Sequence, residues 1–474
     1  MRDYDSRMTT EHTHDSVTSG VASLDKLKAE LGDALRTDHD TLNAVRADKS
    51  GHVAPTFPLA VVEARSIADV QATLRFATAH GIPVVPRGAG TGLAGGAIGS
   101  AGEIVLSVRG MDRILEVSVD DELAVVEPGV LNADLNDHLA SRGLWWAPDP
   151  ASRKISTVGG NIATNAGGLL CVKYGVTREA VLGMKVVLPD GRLLELGHRT
   201  VKGVTGYDLT ALMIGSEGTL GVIVEATLRL RPLPRGTAVT VKARFDTVEQ
   251  AARASSVVSA SGVTPAIMEI LDAAAVQAIA AHLGVDLGVG SILLAQTDGV
   301  GSAEEAESIV AVIRSLGGEV EMTTDPVEAQ RLFDIRRSFH PSLKPLGTVL
   351  IEDVAVPRSA LPAMFAAIER ISAKYGIQIP TVAHAGDGNL HPNFVFTAPE
   401  VDGHVDVPDH VWAAADEMFL DCLRLGGTLT GEHGVGILKK RWLRDELGDD
   451  SFALQLQIKQ VFDPHGLLNP GKIF

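Results

Sequence analysis

Two histidines seven residues apart, His384 and His391, flank the run Ala385-Gly-Asp-Gly-Asn389. On one straight strand that spacing would put them on opposite faces. Gly386-Asp-Gly-Asn389 is a turn sequence, so its flanks are predicted to fold back as a hairpin that sets the imidazoles across from one another. Such a pair can share one metal ion, and Asn393, two residues on, faces the same side as His391. Gly431-Glu-His-Gly-Val-Gly436 offers a third donor. Glu432 supplies a carboxylate, completing a two-histidine, one-carboxylate set with positions left open for substrate. Zinc suits this set first, and manganese or iron is also compatible. If the segment is extended, His433 points away from Glu432 and is free to serve as a base beside the metal.

A second chemistry is written in glycines. Gly90-Thr-Gly92-Leu-Ala-Gly95 has the G-x-G-x-x-G spacing of a dinucleotide-binding turn,. A Rossmann unit requires a strand before that turn and a helix after it, whose N-terminus receives the pyrophosphate. The run Ile82 to Val85 is strand-like, but Ile104 to Val108, which follows the loop, also reads as strand. Glu116 stands near the spacing of a ribose-binding acid, which is cheap by chance. The glycines therefore point to a phosphate-binding loop outside the Rossmann fold. Successive backbone N–H groups in a tight glycine turn form an anion nest, and the missing Cβ atoms allow close approach.

These groups need a scaffold. Ser66 is placed to cap a helix carrying Val70, Leu74 and Ala77, which Gly81 ends,. From 104 to 235 short strands alternate with glycine turns: Ala124 to Val126, Met184 to Leu188 ahead of Pro189-Asp-Gly191, and Val222 to Leu230. Beyond Pro232 and Pro234 the texture changes. Strand-like runs (Val239 to Phe245, Ser291 to Gln296, Val349 to Val356) alternate with amphipathic helices near 247–260, 302–316 and 359–375. That alternation predicts an antiparallel sheet covered on one face by helices, and the prolines mark a domain boundary. Residues 22–35 carry a helical pattern, preceded by a polar tail. The apolar stretch near 265–285 reads as helical, and Glu269, Asp272 and His282 interrupt it, so no spanning helix is expected,.

With 474 residues, the chain exceeds one ordinary core,. A net charge of −17 argues against nucleic acid or an anionic membrane as the main partner,. Two cysteines, Cys171 and Cys422, give no disulfide framework and point to a reducing compartment,. The polar N-terminus shows no apolar signal segment, so the expected location is cytoplasmic, with a peripheral place at the inner membrane face left open.

Five segments in order carry a family resemblance: Arg87-Gly-Ala-Gly-Thr-Gly-Leu93, Thr157-Val-Gly-Gly-Asn-Ile162, Asn165-Ala-Gly-Gly168, Gly206-Tyr-Asp-Leu209 and Gly215-Ser-Glu-Gly-Thr-Leu-Gly221. Together they resemble the FAD-binding domain of the vanillyl-alcohol-oxidase and p-cresol-methylhydroxylase superfamily. Within it the chain resembles the group that holds the D-type subunits of glycolate oxidase, D-lactate dehydrogenase and D-2-hydroxyglutarate dehydrogenase. The resemblance implies an α+β fold: a two-subdomain FAD-binding domain, a substrate (cap) domain whose antiparallel sheet is covered by helices, and a C-terminal segment returning to the FAD domain. The implied divisions are an N-terminal tail and helix (1–54), the FAD-binding domain (55–235), the cap domain (236–425) and an active-site segment (426–474).

On that resemblance, FAD would be bound by Pro86, Arg87, Gly88, Ala89, Gly90, Thr91, Gly92 and Leu93. Pro148 and Asp149 would join them, with Thr157, Gly160, Asn161, Ala163, Thr164, Gly167, Gly168 and Tyr174. Further along the chain, Glu217, Gly221 and Ile223 would follow, and Asn469 in the closing segment Phe462 to Phe474. Flavinylated relatives often carry a histidine in or just after the first loop. Residues 86 to 103 contain none, so the flavin is expected to be non-covalent. Cys171 follows the second glycine motif and reads as a packed, inert thiol.

Arg336 and Arg337 lie on the segment that in relatives reaches the substrate carboxylate. Arg336 is favoured for a bidentate grip, and His340, one turn on, is a further pocket candidate. The implied reaction is oxidation of a D-2-hydroxy acid, D-lactate-like or glycolate. Arg336 would hold the carboxylate, the metal on His384, His391 and Glu432 would polarise the C2 hydroxyl, and His433 would take its proton. Three alternatives stand: a D-2-hydroxyglutarate dehydrogenase, a glycolate-oxidase D-type subunit needing partner subunits, and a plain oxidase using oxygen. Against the first, Leu350-Ile-Glu-Asp-Val354 offers no lysine for a second carboxylate. Other expected partners are an electron acceptor (a quinone, an electron-transfer flavoprotein or a cytochrome) and a second copy in a homodimer.

Overall fold

A computed structural model describes residues 24–401 and 404–474. The expected polar tail lies outside the described residues, while the helical pattern beyond it forms a helix over 24–31.

The first sheet has four strands in the order Leu35–Arg36, Ala60–Glu63, Ile104–Ser107, Val84–Arg87, the last three parallel. Helix Ile67–His80 covers it. Ser66 accepts the Asp69 N–H at its start, and Gly81 closes it at φ +63°, as the capping residues predict,. The glycine loop leaves Val84–Arg87, and the chain re-enters the same sheet at Ile104 without an intervening helix. This disposes of the Rossmann alternative.

The second sheet is antiparallel, in the order Ile114–Ser118, Leu123–Val126, Val222–Arg229, Val181–Val187, Leu193–Gly197. Between its strands, Val158–Thr164 forms a short helix where the glycines suggest turns. Thr157 accepts the Gly160 N–H, Asn165 ends the helix at φ +51°, and Val158 and Ile162 are buried. Two caps and two core anchors outweigh the glycines' poor propensity.

The third sheet is antiparallel. Its path runs Glu319–Thr323, Val239–Phe245, Ser291–Thr297, Ile267–Leu271, Thr381–His384, Asn389–Phe396, Thr348–Ile351, and Val354–Ala355 also pairs with Asn389–Phe396. Helices Val248–Ala260, Ser302–Ser315, Leu361–Tyr375 and Asp409–Arg424 bury one face around Ile270, Leu293 and Ala383. The other face is covered too. Leu271, Ile292, Leu294 and Val382 pack with helices Ala273–Leu283 and Phe339–Leu343. The one-face expectation is therefore corrected: the continuous apolar runs of Ile267–Leu271 and Ser291–Thr297 bury both sides of their strands,. The 265–285 stretch is likewise a strand followed by a helix, because Asp272 caps the second half by accepting the Ala275 N–H. The single run expected over 349–356 splits at Glu352-Asp353.

The C-terminus returns to the first sheet. Leu468 bridges Val84, and the Asn469 N–H donates to the Val84 carbonyl at 2.8 Å. Among the described residues, no helix is long and apolar enough to cross a membrane.

Candidate active site

A cavity of about 710 Å³ opens where the glycine loop, the 158–164 helix and the third sheet meet. All of 86–93 line it, as do Thr157, Gly160, Asn161, Ala163 and Thr164. Gly167, Gly168, Glu217, Gly221 and Ile223 complete the flavin-side wall. The opposite wall carries Arg336, His340, His384, His391, Glu432 and His433. Gly92 belongs to a cradle that suits a phosphate-bearing group: the loop lines the cavity, and a Cβ on Gly92 would meet nothing closer than 3.9 Å on the protein side. A Cβ on Gly88 would lie 2.6 Å from Thr157 Oγ1, so Gly88 lets the loop pack on the 158–164 helix. A dinucleotide cofactor fits this wall. The Arg87 guanidinium is engaged by backbone carbonyls. It donates to the carbonyls of Ala97 (2.5 Å) and Ala47 (2.9 Å), bracing the loop from beneath.

Five expected residues fall outside the cavity wall. The Pro148 carbonyl accepts from Asn132, and Asp149 accepts the Leu170 N–H at 3.0 Å. Tyr174 donates to Asp298 at 2.5 Å and lines a separate groove with Lys173 and Arg231. Asn469 spans the carbonyls of Gly96 (2.8 Å) and Glu217 (2.7 Å), so it ties the C-terminus to the loop. Asn393 is fully buried, and its side-chain amide donates to the His391 carbonyl at 2.8 Å. Asn393 and Asn469 nevertheless each keep a buried Oδ1 with no protein partner among the described residues.

The predicted hairpin forms, but its register differs from the expected one. His384 pairs with Asn389, and His391 pairs with Val382. Both Asp387 and Gly388 donate N–H groups to the His384 carbonyl, with Gly388 at φ +80°, so the turn closes directly on His384. The histidines are thus diagonal neighbours on one face, with ring centroids 5.0 Å apart,. Glu432 Oε1 lies 3.5 Å from His384 Nε2 and 3.2 Å from His391 Nε2. One ligand atom from each of the three residues falls within 4.8 Å of the others. The donor set fits a divalent ion. The surrounding field agrees: burial lowers the pKa of His384, but the Glu269 and Glu432 carboxylates outweigh it and hold the ring well above its ordinary value.

Glu432 and His433 do not diverge as an extended segment would require. Residues 431–433 bend around the buried Asp353, whose Oδ2 accepts both backbone N–H groups at 3.0 Å and the Thr430 hydroxyl at 2.6 Å. Both side chains therefore enter the same cavity, with His433 Nε2 3.9 Å from Glu432 Oε1 and its ring stacked on His391. Burial lowers the His433 pKa to about 4 against the opposing pull of Asp353. The ring is neutral at pH 7, as a proton acceptor must be.

Sequence reasoning missed four residues here, which fall into three groups: the adjacent acids Glu352 and Asp353, then Lys439, then Glu269. Glu352 and Asp353 stand in a segment that sequence reasoning read only for its lack of a lysine. Lys439 supplies a cation from behind, 3.6 Å from each carboxylate, while donating to the carbonyls of Asp353 (2.6 Å) and Leu429 (3.0 Å). The third is Glu269, wholly buried, which accepts from Arg336 Nε at 2.8 Å and from His384 Nδ1 at 2.5 Å. Two adjacent acids in an apolar run, and one acid in another, were the available signals. Arg337 pairs with Asp334 at 3.1 Å, and like Lys344 it reaches the cavity mouth.

Comparison with known proteins places this site in context. Residues 236–473 match the family described as FAD linked oxidases, C-terminal domain, and residues 58–197 match an FAD binding domain. The chain belongs to the FAD-linked oxidases. It is 40% identical over 445 residues to glycolate oxidase subunit GlcD of Bacillus subtilis, covering 92% of this chain and 93% of that one. It is 33% identical to a D-lactate dehydrogenase of Anaerostipes hadrus (88% of this chain, 89% of that one). A D-2-hydroxyglutarate dehydrogenase of Stutzerimonas stutzeri is 34% identical, over 96% and 99% of the two chains. In fold, the chain is similar to p-cresol methylhydroxylase, with a TM-score of 0.77 at 18% identity over 97% of each chain. This FAD-linked oxidoreductase is thus an enzyme of the hydroxy-acid dehydrogenase kind.

Proposed function

We propose that this FAD-linked oxidase is a metal-assisted dehydrogenase of D-2-hydroxy acids, D-lactate-like or glycolate. The observation that carries the reading is the convergence of His384 Nε2, His391 Nε2 and Glu432 Oε1 on a cavity whose facing wall is the glycine cradle. Arg336 binds the substrate carboxylate: Nε is taken by Glu269, and the two Nη groups have no protein partner among the described residues. His433 accepts the C2 hydroxyl proton as the C2 hydrogen leaves with its electron pair and the C2=O bond forms. FAD, when bound, supplies the acceptor for that hydrogen and electron pair. A divalent ion held by His384, His391 and Glu432, zinc first among candidates, supplies a Lewis acid beside the hydroxyl. The flavin is held non-covalently, since the first glycine loop carries no histidine. Residues 55–235 act as the FAD domain, 236–425 as the cap and 426–474 as the active-site segment. A cytoplasmic location, peripheral to the membrane if the electron acceptor is a quinone, accords with this reading.

Anaerobic flavin reduction across a panel of D- and L-2-hydroxy acids tests the proposal. Bleaching by one D-acid series and not its L-enantiomers is the expected result. A flavin that stays oxidised with every acid until a second protein is added would favour a partner-dependent subunit, a reading suggested by the relative's name, glycolate oxidase subunit GlcD. A dicarboxylate such as D-2-hydroxyglutarate is the second reading. Ile351 offers no charge to a second carboxylate, but Lys344 and Arg337 line the same cavity.

A further inference from the structure

Glu269 joins two groups that have separate jobs in the proposed reaction. It sits in the strand Ile267–Leu271, paired in register with His384 on the neighbouring strand, and every residue of its own strand is buried. A carboxylate only accepts hydrogen bonds, so Oε1 at 2.5 Å fixes the His384 proton on Nδ1,. Nε2, 3.5 Å from Glu432 Oε1, is then the nitrogen left to give up its proton when a metal ion is bound,. Oε2 accepts Arg336 Nε at 2.8 Å, fixing the guanidinium plane while its Nη edge faces the cavity. Arg336 reaches this point from the far end of helix Pro326–Arg337. For stability alone, an ion pair buried to this degree is often no better than well-packed apolar residues. Its place between a proposed metal ligand and a proposed carboxylate-binding group points to another role.

We propose that Glu269 is a positioning residue that sets the metal-binding face of His384 and the carboxylate-binding edge of Arg336 as one unit. The proposal rests on the reading of His384, His391 and Glu432 as a metal centre. Glutamine at 269 keeps one acceptor but replaces the other with a donor, so it cannot accept from both partners. One partner loses its acceptor outright, His384 by taking the tautomer with the proton on Nε2 or Arg336 by losing its anchor, and the other keeps only a neutral acceptor, weaker than a carboxylate.

The test uses FAD-loaded protein stripped of metal by a chelator. Zinc affinity is measured by competition with a chromophoric chelator, and oxalate binding by perturbation of the flavin spectrum. Glu269→Gln is expected to weaken zinc binding by about 10–100-fold, the range typical for a lost partner of a ligating histidine, and to weaken oxalate binding as well. Arg336→Gln should weaken oxalate alone and leave zinc affinity within about threefold. Zinc and oxalate affinities in Glu269→Gln indistinguishable from the unsubstituted protein would overturn the proposal. His384→Ala separates the two levels: if it binds zinc as well as the unsubstituted protein, the metal centre itself is wrong and the proposal falls with it. If Glu269→Gln proves insoluble, the neutral pair Glu269→Gln with Arg336→Gln replaces it. The same zinc loss is then expected, and unchanged zinc affinity would overturn the proposal.

Discussion

A Cβ placed on Gly167 would lie 2.6 Å from Glu432 Oε2 and 3.1 Å from its Cβ. The glycine segment of the flavin-side wall and the carboxylate of the candidate metal centre are therefore in contact, and only a residue without a side chain leaves room for both.

Gly167→Ala is accordingly predicted to displace Glu432 rather than to disturb the flavin. Gly167 has an ordinary φ, so backbone strain does not enter. The expected result is purified protein with full FAD content, a loss of bound metal, and kcat/KM reduced by about 10-fold or more, since sub-ångström misplacement at a reacting centre is expensive. FAD and metal content measured on the same preparation check it. Loss of FAD with metal retained would contradict the assignment.

Arg336→Ala removes the Nη edge that faces the cavity. A lost charge-assisted contact to the substrate carboxylate is predicted to lower kcat/KM by about 1.5–3 kcal/mol, with the oxidised flavin spectrum unchanged. Arg337→Ala should change kcat/KM little for a monocarboxylate, because Arg337 is half exposed and paired with Asp334. Steady-state kinetics of the two variants side by side decide between the arginines. An unimpaired Arg336→Ala beside a crippled Arg337→Ala would reverse their roles.

Much of this site was legible because its cues are local. Ser66 and Gly81 bracket their helix, and the Asp387-Gly388 turn folds His384 and His391 onto one face. What was not legible depended on contacts distant in sequence. The hairpin register is set by where the turn hydrogen bonds close, which puts His391 opposite Val382. The bend at Glu432-His433 is imposed by Asp353, about eighty positions away along the chain. Glu269 sits in an apolar run whose periodicity reads as helical, and only the neighbouring strand turns it toward His384. The 158–164 helix was hidden because glycine is a weak helix former, and its caps and buried Val158 and Ile162 override that,.

Glu217 provides a pH test of how the C-terminal loop docks on the flavin-side wall. Its carboxylate accepts the Val435 N–H at 2.7 Å and the Gly436 N–H at 2.8 Å, and burial raises its pKa to about 7 despite those donors. A carboxyl whose folded pKa lies above its unfolded value contributes stability below the unfolded value of 4.5, and that contribution is lost as pH rises through about 7,. Glu217→Gln leaves one backbone N–H without its acceptor, a deficit of about 1–3 kcal/mol, but does not titrate. The Tm deficit of Glu217→Gln is therefore predicted to be larger at pH 5 than at pH 8. Thermal unfolding at the two pH values checks it, and a deficit of the same size at both would show that Glu217 is ionised in the fold throughout.

The last prediction separates ligand from base. His384 and His391 present Nε2 to one carboxylate oxygen, so His384→Ala or His391→Ala leaves two donors, too few to hold a divalent ion against a chelator,. Both variants should lose metal and most activity. His433 is neutral at pH 7, stacks on His391, and has its Nε2 3.9 Å from Glu432 Oε1. His433→Ala is predicted to keep metal and FAD yet slow flavin reduction by roughly 10²–10⁴-fold, the range for a removed general base. Elemental analysis paired with anaerobic stopped-flow reduction distinguishes the roles. A metal-free His433→Ala would make His433 a ligand and leave Glu432 as the better base. Normal reduction by the unsubstituted protein after exhaustive chelation would remove the metal from the reaction, and the hairpin would then serve only to shape the cavity.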